Sequence, residues 1–213
     1  LSESPSAVPG TVRPGGRTAK VRRAVLDATE DALAEAAFHT LNPDRIAAAA
    51  GVGKTTVYRR WGSPAGLVAD LLRDMAEQSL PAADTGSLAG DLRANAELVL
   101  RTLTDPRMGA VFQAVIAAAA CDEECARTLN GFYRTRLAEW APVAARAAAR
   151  GELPPDTDAL ELLRAVSAPL YYRFAVTREE LTAADAERAV TAALAAAAAG
   201  AFAPRPAAGP GVD

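Results

Sequence analysis

The sequence predicts an all-α protein with a small N-terminal unit and a larger body, and three observations predict it. Half of the 213 residues are hydrophobic, dominated by Ala and Leu, which favour helix. β-Branched runs are few, and no segment of strand length alternates apolar with polar residues between turn signals. The length exceeds one small motif and suits a compact unit followed by a body with its own packed core.

Taken in order, Leu1 to Gly16 is rich in Pro, Gly and Ser and is expected to be a disordered tail. Thr18 to Phe38 forms the first long helix, with Val21, Val25, Ala28, Ala32 and Ala36 on one stripe and Leu26, Leu33 and Ala37 widening it. Asn42 can cap a helix start, and Pro43 brings a fixed φ and lacks a donor that the first turn does not use. On this second helix Ile46, Ala47 and Ala50 share a face, and the small side chains allow close approach. Gly51 ends it, taking a left-handed conformation without a Cβ penalty, and Val52 plugs the angle that follows. From Lys54 to Trp61 a third helix turns Val57 and Trp61 inward. That leaves Lys54, Thr55, Thr56, Tyr58, Arg59 and Arg60 for its other faces, and these are the donors a helix needs for phosphates and base edges. Ser63-Pro64 then starts a fourth helix, with Gly62 alone between. A helix-turn-helix reader of duplex DNA is the function this spacing predicts; the alternative is a solvated helix face.

This stretch, NPDRIAAAAGVGKTTVYRRWGSPAGL from Asn42 to Leu67, resembles the N-terminal domain of TetR-family (tetracycline-repressor-like) regulators. Ile46, Ala47, Ala50, Gly51, Val52, Thr56, Tyr58 and Trp61 match the family pattern, behind an upstream helix of the right length. The resemblance implies that the third helix enters the major groove, with Lys54 and Thr55 at base edges and Thr56, Tyr58 and Arg60 mainly at phosphates. One departure is Pro64, where the family commonly has a phosphate-touching Lys, and Arg59 or Arg60 is left to compensate. Arg13, Arg17 and Lys20 lie before or at the first helix and are either a basic arm toward DNA or a solvated tail. The candidate DNA contacts are therefore Arg17, Lys20, Asn42, Arg45, Lys54, Thr55, Thr56, Tyr58, Arg59 and Arg60.

Beyond the reader, Pro64 to about Leu80 spaces Leu67, Leu71 and Met75 by four, and Pro81 to Gly86 is a loop. Helices are predicted at Ser87 to Thr104, Arg107 to Cys121, Asp122 to Arg150, Asp158 to Phe174 and Thr182 to Ala199. Pro142 and Pro169 are expected to start, kink or split theirs. Pro204 to Asp213 reads as a loose tail. The segment Arg146 to Val176, with its R-G-E-L and P-L-Y-Y-R runs, is similar to the C-terminal domain of one TetR subgroup. The boundaries expected are a tail at 1–16, a DNA-binding domain at 17–62, a helical effector-binding and dimerisation domain at 63–203 and a tail at 204–213. The resemblance implies a homodimer joined by the last two long helices, to which Leu162, Val166, Val190, Ala193 and Leu194 are assigned; the alternative is an intramolecular Ala-rich core. It also implies a small-molecule effector held in the body, with Met108, Phe112, Gln113, Ile116, Phe132, Arg136, Trp140, Tyr171 and Phe174 as candidate contacts.

Charge follows the same division. Residues 1–62 carry nine Lys and Arg against six Asp and Glu, net +3, whereas 63–213 carry fourteen against twenty, net −6. The basic charge thus sits where the DNA-reading motif sits. Enzyme readings find little support. The single His, His39, stands outside any cluster of metal ligands, and no phosphate loop, nucleophile elbow or zinc spacing occurs. Cys121 and Cys125 are too poorly placed on one helix for a bridge, so reduced thiols are expected, with a thiol switch as the alternative. No cofactor is implied. The longest apolar stretch, Ala192 to Ala203, falls short of the roughly 18 residues a bilayer requires, and a cytoplasmic location is expected. The reading is a ligand-responsive repressor on a palindromic operator; the alternatives are an activator, a regulator without a ligand, or a helical protein-interaction module.

Overall fold

Side-chain caps set most of the helix boundaries in this chain. The computed structural model describes residues 15–78 and 81–203, and among these there are ten α-helices and no strand. They are α1 (Gly15–Glu35), α2 (Pro43–Ala49), α3 (Lys54–Trp61), α4 (Pro64–Glu77), α5 (Leu88–Thr104), α6 (Pro106–Ala119), α7 (Glu123–Trp140), α8 (Pro142–Ala149), α9 (Ala159–Tyr172) and α10 (Ala183–Ala198). Asn42, Ser63, Ser87, Asp105, Asp122 and Asp158 each accept a backbone N–H in the first turn of the helix that follows. Thr182 and Asp185 form a reciprocal capping box at α10. Proline opens α2, α4, α6 and α8, where its missing donor costs nothing.

Several boundaries differ from the expectation. Gly15 and Gly16, assigned to the tail, open α1, while the rest of both expected tails lies outside the described residues. The far end of α1 stops at Glu35 instead of Phe38. The chain turns there through an extended Ala37 and a 3-10 turn at Phe38–Thr40, which lets Leu41 be buried and Asn42 cap α2. Ala36 and Ala37 are consequently exposed, and His39 lies exposed in the turn. The single helix expected over Asp122 to Arg150 is two, divided at Ala141 because Pro142 begins α8. Pro169 stays inside α9, which passes into a π-helical turn at Arg173–Thr177.

In the N-terminal part α1 packs on α2 and α4, and α2 on α3. Two seams join this part to the body, α1 against α6 and α4 against α7. At the centre of the body, α5, α9 and α10 pack on one another. One core runs without a break from Val25 to Ala197, so packing shows no gap at residues 62–63. A small separate cluster of Ala65, Ala118 and Cys125 lies where α4, α6 and α7 meet.

The side chains assigned to a subunit interface require correction. Leu162, Val166, Val190 and Ala193 are buried inside the single chain, and Leu194 is half-buried. The spacing of Leu162, Val166, Val190 and Ala193 turns these four toward the shared core of α5, α9 and α10, and Leu194 alone of the five keeps an accessible surface. The opposite face carries the exposed apolar groups Leu160, Tyr172 and Val176, with Ala168, Ala192 and Ala195 also open.

Candidate nucleic-acid interface

The α2–α3 angle is fixed by local chemistry. Gly51 has φ +65°, and the Val52 N–H donates back to the Ala47 carbonyl at 2.9 Å. Ile46 and Ala47 of α2 are buried, as are Val57 and Trp61 of α3. Lys54, Thr55, Tyr58, Arg59 and Arg60 are left on the exposed side of α3, with Thr56 half-buried. Asn42 is spent partly on the α2 cap, accepting from the Asp44 N–H at 2.8 Å. Arg45 and Lys20 are exposed; Arg45 borders a shallow groove with Asp31 and Glu35. The side chain of Arg17 lies outside the described residues.

Two of the cations have partners already. Lys54 Nζ lies 2.5 Å from Asp44 Oδ2. The hydrogen bond of that pair holds the Asp44 carboxyl below its ordinary value and raises the Lys54 ammonium. Arg60 sits over the Trp61 ring at 5.0 Å, which holds its guanidinium against the end of α3.

What holds α3 in place was not foreseen from the sequence. Trp61 Nε1 donates to Asp70 Oδ2 of α4 at 2.9 Å. The same carboxylate receives Arg22 of α1 through both Nε and NH2 at 3.0 Å, and Arg73 at 3.0 Å. One turn on, Asp74 accepts from Arg22 at 2.6 Å and Arg23 at 2.7 Å. Burial by itself would raise the Asp70 carboxyl, but the hydrogen bonds from Arg22 and Trp61 outweigh it and hold it below the usual range. The signal was two carboxylates four residues apart on an otherwise apolar buried stripe, which require cations from elsewhere. Close packing adds to the tie: a Cβ on Gly66 would lie 2.0 Å from the Trp61 carbonyl oxygen.

In the body, a cavity of about 280 Å³ opens between α4, α5, α6, α7 and α9. Of the residues assigned to an effector, Phe112, Phe132, Arg136, Trp140 and Tyr171 line it. Met108, Gln113, Ile116 and Phe174 do not line this cavity; Met108, Ile116 and Phe174 pack against the main core instead. The sequence reading missed Met75 and Gln78 of α4, Asn95, Leu98, Val99 and Thr102 of α5, Tyr133 and Leu137 of α7, and Ser167 of α9. Asn95 Oδ1 and Trp140 Nε1 are buried without a hydrogen-bond partner. Burial raises the Tyr133 and Tyr171 hydroxyls, so both stay protonated at neutral pH. Among the described residues no group of His, Cys, Asp and Glu is placed to hold a metal, and no helix is long and apolar enough to cross a membrane.

Comparison with known proteins finds two family models, which match successive parts of the chain. Residues 25–71 match the family model for bacterial regulatory proteins of the tetR family, and residues 82–193 match the tetracyclin repressor-like C-terminal domain. The HTH-type transcriptional regulator YdeS of Bacillus subtilis is 31% identical over 160 residues, 75% of this chain and 80% of that protein. The HTH-type transcriptional regulator AqdR of Rhodococcus erythropolis is 30% identical over 143 residues, 67% of this chain and 68% of that one. The crystal structure of the TetR family transcription regulator SCO0332 superposes with a TM-score of 0.67 at 28% identity, over 83% of this chain and 97% of the other.

Proposed function

Because this chain belongs to the TetR family of helix-turn-helix transcriptional regulators, which are DNA-binding proteins and typically repressors, we propose that it occupies a palindromic operator as a homodimer and is released by a small molecule. The observation that carries this reading is the double attachment of α4. Met75 and Gln78 stand in the cavity wall, while Asp70 of the same helix is bonded to Trp61 at the end of α3. Gln78 Nε2 also donates to Asp74, which holds Arg22 and Arg23 of α1. A ligand that displaces α4 therefore changes the pose of α3 and α1 together. To turn a mostly bound population into a mostly free one, its affinities for the two states must differ by roughly 10⁴-fold.

The exposed side of α3 supports the DNA half of the proposal, since it gathers Lys54, Thr55, Tyr58, Arg59 and Arg60 above a buried Val57 and Trp61. Lys54 and Thr55 are assigned to base edges, and Thr56, Tyr58 and Arg60 to phosphates. The open apolar groups Leu160 and Tyr172 of α9, with Val176 of the π-helical turn that follows, support pairing with a second copy. The test is a fluorescence anisotropy titration against the duplex upstream of the protein's own gene, with a scrambled duplex as control, at several salt concentrations. Tight binding to the first alone, lost on charge reversal at Lys54 and Arg60, is the expected result. Equal weak binding to both duplexes, unaffected by those reversals, overturns the proposal for that operator.

A further inference from the structure

We infer that the cavity takes a compact, uncharged aromatic molecule carrying both a hydrogen-bond donor and an acceptor, an inference that rests on reading the cavity as the effector site. Its rings set the shape. Phe112 and Phe132 lie 5.6 Å apart and tilted by 52°, Phe132 and Tyr133 5.4 Å apart at 69°, and Tyr133 and Tyr171 5.2 Å apart at 81°. This run of tilted and edge-on rings offers faces and edges to a planar guest. A volume of about 280 Å³ is at the small end for a ligand site and fits one or two fused rings.

The unpartnered polar atoms set the guest's functional groups. Asn95 is 8% exposed and Trp140 3%, and each of these wall residues has one buried polar atom without a partner, as does Tyr133 through a hydroxyl that can either donate or accept. Asn95 Oδ1 can only accept and Trp140 Nε1 can only donate. Burial has removed water from both, so a guest that supplies the missing donor and acceptor recovers bonds that the empty protein forgoes.

Charge sets the class. The described lining residues include one cation, Arg136, and no carboxylate, and Arg136 is already paired with Glu139. A cationic guest meets that guanidinium with no carboxylate in the wall to offset it. An anionic one gives up its hydration for a guanidinium that is already engaged. A neutral guest incurs neither penalty.

The experiment is isothermal titration calorimetry of the full chain, without DNA, against a panel on one two-ring frame. The panel comprises a hydroxynaphthyl methyl ketone, naphthol, methyl naphthyl ketone, naphthoate and naphthyltrimethylammonium. The hydroxy ketone is expected to bind about tenfold tighter than either compound with one polar group, and tighter than both ions. Asn95→Leu should remove the advantage of the hydroxyl alone, and Trp140→Phe the advantage of the ketone alone. Equal or tighter binding of either ion, equal loss across the panel in both folded variants, or no binding by any member overturns the inference. Where a variant fails to fold, the ranking on the native chain decides. Repeating the titration in the presence of operator duplex separates the two readings: binding of the hydroxy ketone without release of DNA upholds the ligand class and removes the effector role.

Discussion

Lys54 has one ammonium and two claimants, since the group assigned to a base edge is held by Asp44 in the free protein. Replacing Asp44 with Asn removes the competitor and a carboxylate from beside the exposed cations of α3. The expected outcome is about 3- to 10-fold tighter duplex binding at low salt, with the gain shrinking as salt rises, read by anisotropy. Asp70 carries a different weight because it is buried and shared by α1, α3 and α4. Asp70→Asn should cost about 2–3 kcal/mol in urea unfolding, less than a full buried pair because Arg22 keeps Asp74. Its folded carboxyl lies below the ordinary 3.8, so its contribution is complete above about pH 4 and disappears as pH falls through the lowered value. Acid titration of the urea midpoint should therefore fall more shallowly in the Asn variant than in the native chain. That Asp70 requires a cation was legible from its place on a buried apolar stripe, but its partner was not, because Arg22 is 48 residues away in sequence. The exposed set on α3 was legible, because its spacing around Val57 and Trp61 is local.

At the scale of elements, Gly66 decides how closely α4 follows α3. Any side chain there meets the Trp61 carbonyl at 2.0 Å, and that oxygen belongs to backbone that cannot swing aside. Gly66→Ala should lower stability by about 3 kcal/mol, seen as a lower midpoint in a thermal melt followed by circular dichroism, and should weaken DNA binding as well. Helix starts could be read from the sequence because a cap and a first-turn Pro are adjacent residues: Asn42-Pro43 and Ser63-Pro64 both behave as expected. Which way a helix faces could not always be read. Leu162, Val166 and Val190 have the apolar spacing of an interface and of a core alike, and packing against α5 decides for the core. The cavity divides similarly. Phe112, Phe132, Trp140 and Tyr171 announce themselves by type, but Phe174 does not line it, and Tyr133, Asn95 and Ser167 belong to it only because α5, α7 and α9 bring those faces together.

For the whole molecule, the proposed DNA and effector sites are joined through α4, and linkage requires that any coupling between them be mutual. If the ligand weakens operator binding by some factor, saturating operator must weaken ligand binding by the same factor; calorimetry with and without duplex, set beside anisotropy with and without ligand, checks the equality. The unbroken core across the reader and body further predicts a single unfolding transition, with fluorescence and circular dichroism tracing the same curve. Cys125 offers a view of motion short of that transition. Its thiol has no exposure, is pushed up to about 12 chiefly by burial, and sits with Ala65 and Ala118 where α4, α6 and α7 meet. Exposed Cys121 stands four residues away on the same stretch of chain. The protein thus contains its own stopwatch: an alkylating reagent tags Cys121 at once and Cys125 only when those three helices part, so the lag between the two counts how often the seam between reader and body opens.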